Sequence, residues 1–413
     1  MKNIIIGGGA AGMMAAYSSV INGNDTILLE KNEKLGKKVY ITGKGRCNLT
    51  NYCSKEEFLK NVVSNPKFLF SSLNRMDSYD TVELFNNLGL KTKTERGNRV
   101  FPESDKASDV TKTLEKVLRS LGVDIRFNCR VLDIKTEGGR FASVITDSYG
   151  EISGDSCIIA TGGLSYPSTG STGDGYRIAD KNGHTITELL PSLVGLKTEE
   201  TFVREMEGLS LKNIVLKVFI NGKQKFKEQG EMLFTHNGVS GPLILTVSAD
   251  FAKDIASGKQ AELVIDMKPA LSYEELDARI LRDFGEMSNK ALKNVLIHLL
   301  PSSMVPVLIG ECGIDGEKKV NSVTVEERKK LADTIKAFKL HVKNSGDFSE
   351  AVVTKGGIKV SEVNPGTMES KLVKGLYFAG EILDVDAYTG GFNLQIAWTT
   401  GYTAGMTLGA TIN

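Results

Sequence analysis

The stretch Gly7-Gly8-Gly9-Ala10-Ala11-Gly12 constrains this chain most, because of what flanks it. Before it, Asn3-Ile4-Ile5-Ile6 reads as a buried parallel strand. After it, "MMAAYSSVINGN" reads as a helix, and "TILLE", 26–30, as a second strand ending in Glu30. The result is a β-α-β unit carrying G-x-G-x-x-G and a following acid, the order a dinucleotide requires. Gly7 suits the tight turn, Gly9 lets backbone approach a pyrophosphate, and Gly12 lets helix pack on strand. The helix N-terminus then faces phosphate, and Glu30 accepts from ribose hydroxyls.

The far end of the chain supplies a second half-site. "GLYFAGE", 375–381, reads as a strand ending in Gly380-Glu381, which suits a carboxylate reaching a ribityl hydroxyl. A Gly390-Gly391 turn and a helix from about Asn393 follow. A helix start aims free backbone N–H groups at an anion, and a reduced flavin carries negative charge on one ring edge. Two complementary glycine-bearing ends favour FAD over NAD. "CIIATGG", 157–163, is a third strand, ending in Thr161-Gly162-Gly163, and returns the chain to the nucleotide sheet. Asp174, in the turn after it, reads equally as a helix N-cap or as a functional carboxylate.

Composition excludes several classes. Formal net charge is +1 over 413 residues, so electrostatic capture of RNA is not favoured, although a local basic patch remains compatible with it. No apolar run has the length of a membrane helix. The five cysteines are scattered without a Cys-x-x-Cys, which favours neither a metal site nor a disulfide framework. This pattern suits a reducing, cytoplasmic compartment. Three of the four histidines, His184, His298 and His341, read as structural.

From about Pro191 to Gly346 the pattern changes. Short alternating stretches such as "IVLKVFI" and "QAELVIDM" read as strands of a small antiparallel, barrel-like domain. "SYEELDARILRDF" and "TVEERKKLADTIKAF" read as helices with capping boxes, Ser272 to Glu275 and Thr324 to Glu327. "AVVTKGGIKV" reads as a strand leading back to the nucleotide domain. The expected architecture is α/β. A Rossmann-like FAD-binding domain, 1–190 and 347–413, carries an inserted antiparallel domain, 191–270 and 339–346, with a helical subdomain at 271–338.

One loop stands out: "GKKVYITGKGRCNLTN", 36–51, too broken by glycine for a helix and too polar for a buried strand. With "RVFPESDKASDV", "ATGGLSYPSTGSTGDGY", "GEMLFTHNGVSGPLIL", "VTKGGIKVSEVNPGTMES" and "GLYFAGEILDVDAYTGGFNLQIAWTTG", it resembles one family, the bacterial BaiN-like or aminoacetone-oxidase-like NAD(P)/FAD-dependent oxidoreductases. The resemblance spans nearly the whole chain. It implies a glutathione-reductase-like FAD domain, with hydride transfer between flavin and a small organic substrate held by the FAD domain and the insert. The implied reaction is reduction of an activated C=C bond; oxidation of an amino ketone and reduction of ribosomal RNA uridine are the alternatives. NAD(P)H is the implied reductant, and no membrane is involved.

The resemblance places cofactor contacts at Gly7, Gly9, Ala10, Ala11, Gly12, Glu30, Lys31, Lys38, Gly43, Gly45, Arg46, Cys47, Asn48 and Val131. It continues them through Thr161, Gly162, Gly163, Gly380, Glu381, Gly390, Gly391, Phe392 and Asn393. Lys37, Lys38 and Arg46 are expected to offset phosphate charge. Three residues are candidates for the chemistry. His236 has a neutral-range reference pKa suited to moving protons, against a turn-holding role. Tyr388 is a candidate acid or substrate contact, against packing over the ring. Cys47 is a candidate proton-donating thiol, against packing beside the flavin. The resemblance sets Arg99, Ser104 and Lys106 of "RVFPESDKASDV" in the substrate cleft, against a solvated loop before a helix with Ser108 as its N-cap.

Overall fold

The structure is a computed structural model and describes residues 1–408; the end of the expected 347–413 segment, 409–413, lies outside the described residues. The chain divides into two compact units. One comprises Met1–Ser192 and the chain from Phe348 onward, the other Leu193–Asp347.

The first unit is built on a five-stranded parallel sheet. Its centre is β1, Lys2–Ile6, flanked by Ser156–Ile159 and by β2, Asp25–Leu29. Leu376–Phe378 and Asp124–Arg126 complete the edges. Ile4, Ile5, Leu28, Ile158 and Ile159 are fully or almost fully buried, as strands covered on both faces must be. The strand order reverses at β1, so the crevice beyond the carboxyl ends of β1 and Ser156–Ile159 is the topological switch point where such sheets bind ligands. The G-x-G-x-x-G loop connects β1 to α1, Ala10–Ile21.

Small residues let the helix Phe392–Thr407 lie directly on α1. A Cβ on Gly405 would meet the Ala15 carbonyl oxygen at 2.4 Å. The Asn22 amide donates to the Met406 carbonyl at 3.0 Å. Trp398 is fully buried and donates its indole N–H to the Leu49 carbonyl at 3.0 Å.

The second unit is a closed six-stranded antiparallel barrel. Its strands run in the order Leu196–Thr198, Gly238–Ser240, Lys223–Thr235, Ser210–Ile220, Ala261–Asp266 and Phe338–Ser345. Four helices, Tyr273–Glu286, Leu292–Leu296, Met304–Cys312 and Val325–Lys336, fall between the last two strands. Leu276, Ile280, Leu308, Leu331 and Ile335 form part of this unit's core. Both capping boxes are present: Ser272 and Glu275 bond each other's backbone N–H, as do Thr324 and Glu327.

Local structure differs from the sequence reading in four places. Lys37–Ile41 is a short helix, because Leu35 and Val39 bury their side chains and need only one turn to do so. The strand expected over "AVVTKGGIKV" is confined to Val353–Lys355; Gly356 at φ 87° and Gly357 at φ 149° then break it. Asp174 is not an N-cap: Gly173 holds that position, and Asp174 is the first helical residue. Ser108 is not one either, since the helix Ala107–Ser120 starts after Lys106 and the Ser108 hydroxyl turns to Asp109.

Candidate functional site

The glycines of the first loop each meet a physical demand. A Cβ on Gly12 would stand 1.8 Å from the Gly7 carbonyl oxygen, so only glycine lets α1 start there. Gly7, at φ 101°, abuts Ala160 and Thr161 of the neighbouring strand end. At Gly9 a Cβ would meet nothing within 4 Å. Gly9 is the N-cap of α1 and offers no side chain to cap it, so the helix start faces open space. Glu30, 7% exposed, is held in place by three donors. These are the Gly8 N–H at 2.7 Å, the Asn32 N–H at 2.8 Å and the Asn32 side-chain amide at 2.7 Å.

The loop that follows Lys37–Ile41 is tightly coiled. Gly43, Lys44, Gly45 and Cys47 all have positive φ, an unusual density that for Lys44 and Cys47 carries strain. Cys47 is fully buried, and burial pushes its thiol up to about 12. It is protonated throughout the physiological range and shielded from solvent. The loop docks on the far end of the chain. The Thr50 hydroxyl donates to Gln395 at 2.7 Å, and the Asn51 amide to the Gly390 carbonyl at 3.0 Å. Gly391, at φ 101°, is pressed against Thr50, where a Cβ would lie 2.4 Å from its carbonyl carbon and oxygen. Residues predicted from opposite ends of the sequence therefore surround one region of the first unit.

Two buried oxygens there have no partner, Asn48 Oδ1 and Thr161 Oγ1. Buried polar atoms are normally paired, so Asn48 Oδ1 is a candidate acceptor for a ligand, whereas Thr161 Oγ1 packs against Gly175, where a Cβ would meet it at 2.2 Å. With the uncapped start of α1, the open space at Gly9 and the fixed carboxylate of Glu30, these residues fit a dinucleotide.

Other predicted contacts are engaged within the protein. Lys38 pairs with Glu381 at 2.6 Å and donates to the Ser165 hydroxyl at 2.5 Å. Glu381 also accepts from Ser165 at 2.7 Å and the Thr354 N–H at 2.8 Å. Gly163 must be small because a Cβ would meet Thr354 Oγ1 at 2.4 Å. Lys37 pairs with Glu33 at 2.9 Å. Arg46 stacks 4.0 Å from the centroid of Phe101 and pairs with Glu95 and Asp105. In this structure each of these three cations, expected to offset phosphate charge, pairs with a carboxylate.

Lys31 and Arg130 both bind Asp174, at 2.8 and 2.6 Å. Burial would raise the Asp174 pKa, but the two cations outweigh it and hold the carboxyl down at about 2. This triad lies directly after Glu30 and before Val131, and the local sequence gave no sign of the pairing. Val131 is buried at the start of a strand. Phe392 packs its ring edge-on to Phe58 at 5.4 Å. Asn393 donates its amide to the carbonyls of Ala387 and Tyr388 and accepts the Ala387 N–H, fixing the turn that bears Tyr388. Tyr388 is half-buried. In the second unit, His236 occupies the turn between two barrel strands, exposed, with Nδ1 2.9 Å from Glu207 Oε2.

No helix among the described residues is long and apolar enough to cross a membrane. All five cysteines are buried and free.

Known proteins share this design. A 3-dehydro-bile acid delta(4,6)-reductase of Clostridium scindens is 33% identical over 404 residues, 97% of each chain. A ribosomal RNA dihydrouridine synthase of Haemophilus influenzae is 30% identical, covering 98% of each. Among solved structures, a 3-ketosteroid-delta4-(5alpha)-dehydrogenase from Rhodococcus jostii RHA1 shares the fold at a TM-score of 0.53 and 15% identity, covering 98% of this chain and 96% of that one. The model for the HI0933-like protein Rossmann domain matches residues 1–407. The chain belongs to this HI0933-like family and is an FAD-dependent oxidoreductase.

Proposed function

We propose that this enzyme reduces a C=C bond conjugated with a carbonyl group. Whole-length similarity to two relatives carries the reading, because their names describe one kind of chemistry. A 3-oxo-Δ4,6 steroid and a uracil ring both present a double bond whose far carbon accepts hydride while the carbonyl absorbs charge. The saturated product forms when the near carbon takes a proton. FAD, when bound, supplies the hydride, and NAD(P)H is the proposed source of its electrons.

The chain's own residues bind, orient and exclude water. Gly7, Gly9, Gly12 and the start of α1 receive the diphosphate. Glu30 receives the ribose. Asn48 Oδ1 accepts a hydrogen bond from the bound cofactor or substrate. Cys47, its neighbour in the chain, packs as an apolar wall, consistent with its burial and raised pKa. The proposed proton donor is Tyr388, whose turn Asn393 fixes; a proton-moving role for His236, whose Nδ1 lies against Glu207, is tested by substitution.

Anaerobic mixing tests this. Reduced holoenzyme is mixed with a 3-oxo-Δ4 steroid, and the flavin absorption band and the product mass are followed. Return of the oxidised band together with a product two hydrogens heavier supports the reading; a flavin that stays reduced with every conjugated enone overturns it. His236→Gln is expected to slow the return without loss of flavin.

A second reading, with uridine in ribosomal RNA as the substrate, is favoured by the name of the Haemophilus relative. Dihydrouridine formation in an RNA transcript, read by mass spectrometry of its nucleosides, tests it.

A further inference from the structure

The barrel unit carries a lysine face that the flavin chemistry does not use. Lys212, Lys217, Lys223, Lys225 and Lys227 fall within one hairpin, Ser210–Ile220 and Lys223–Thr235, whose 210–231 span holds only two acids, Glu228 and Glu231. All are exposed except Lys217, which is half-buried. Among the described residues, none of these five side chains makes an ion pair or a hydrogen bond.

Register aligns part of the set. Lys227 lies directly across from Lys217, Lys217 across from Val264, and Val264 across from Lys339. Leu216 and Val218 are buried in the barrel, so Lys217 between them faces outward, and its row of partners with it. Of the three lysines in this row, Lys339 alone is neutralised, by Glu262 at 2.9 Å. Phe219, half-buried and two residues from Lys217, belongs to the same outer face.

Like charges placed directly opposite in a sheet are destabilising. Protection of an open edge explains lysines on Lys223–Thr235, whose far side is paired only at Leu233–Thr235. It does not explain Lys217, whose strand is hydrogen-bonded on both sides. A ligand that neutralises the row accounts for both. Unpaired lysines at strand spacing are the chemistry that tracks a sugar-phosphate chain, with the half-buried Phe219 beside them.

We propose that this face of the barrel binds the phosphate backbone of RNA. The proposal deepens the RNA reading above and rests on it. The test measures binding of a fluorescein-labelled ribosomal RNA hairpin to the holoenzyme by anisotropy across a salt series. Lys217→Ala/Lys227→Ala is expected to bind roughly tenfold more weakly, with a log–log salt slope shallower by about 0.7–0.9 per lysine removed. Its thermal stability is expected to be equal or higher, since the opposed charges are gone. Lys112→Ala/Lys116→Ala, on an exposed helix face of the other unit, is expected to bind as the parent does. Unchanged affinity in the first variant, equal losses in both, or binding to phosphatidylserine vesicles with none to RNA would overturn the proposal. Enone reduction is measured on the same proteins. Its failure in the parent counts against the reductase reading alone, and its retention in the barrel variant separates docking from chemistry.

Discussion

Gly401 of the last helix touches Ala11 of the first: a Cβ at 401 would stand 2.3 Å from the Ala11 carbonyl oxygen. Four residues further on, Gly405 meets Ala15 and Ser18 in the same way. This seam fixes the helix Phe392–Thr407 against α1, and through Gly391 and Thr50 it carries the Arg46–Asn51 segment with it.

Replacing Gly401 with alanine forces the two helices apart. Overpacking of this kind costs about 1–3 kcal/mol. The expected outcome is a lower Tm and weaker FAD retention in the same variant, read by thermal melting with and without added FAD. A Tm equal to the parent's would show that the seam is loose.

Glu30 is expected to be decisive for the cofactor. Glu30→Gln removes a charge that three donors now share and places an N–H₂ group where one of them points. Hydrogen bonds to charged groups contribute about 1.5–3 kcal/mol each, so FAD affinity should fall tenfold or more. Titration of apoprotein with FAD, followed by flavin fluorescence, measures it.

Cys47 is expected to be inert. Its thiol stays protonated at neutral pH and has no exposure, so native protein should resist alkylation at this position while unfolded protein reacts. Peptide mapping after iodoacetamide reads this directly. The pH–rate profile of Cys47→Ala should superimpose on the parent's; displacement of one limb would restore a chemical role to the thiol.

Asp174 gives a pH dependence of known sign. Its carboxyl is held at about 2 when folded, against about 3.9 when unfolded. A depressed folded value contributes stability that is complete above the unfolded value and is lost as pH falls through the folded one. The stability gap between parent and Asp174→Asn should therefore be constant above about pH 5 and close between about pH 4 and 2. Urea denaturation at a series of pH values checks this.

The parts of the fold that were legible in the sequence are those written in local pattern. The β-α-β unit, both capping boxes and the barrel strands follow from periodicity and from neighbours three or four residues apart. Where the outcome depended on partners distant in sequence, local pattern was silent. Lys38 finds its acid 343 residues away at Glu381, and Arg130 finds Asp174 across 44. The same distance effect hid the role of Gly391, which is small because Thr50 lies against it. For Asp174 the cap and the functional carboxylate stayed level in the sequence because its true neighbours, Lys31 and Arg130, come from other segments.

The Gly401–Ala11 seam also sets an order of events during synthesis. The nucleotide loop is made first, yet the helix that braces α1 arrives only after some 390 further residues have emerged and the whole barrel unit has been interposed. A partly made chain has a phosphate loop on an unbraced helix, so tight cofactor capture becomes the concluding act of folding. Any ribosome stall or cleavage before residue 405 should leave a protein that forms much of its sheet and stays colourless.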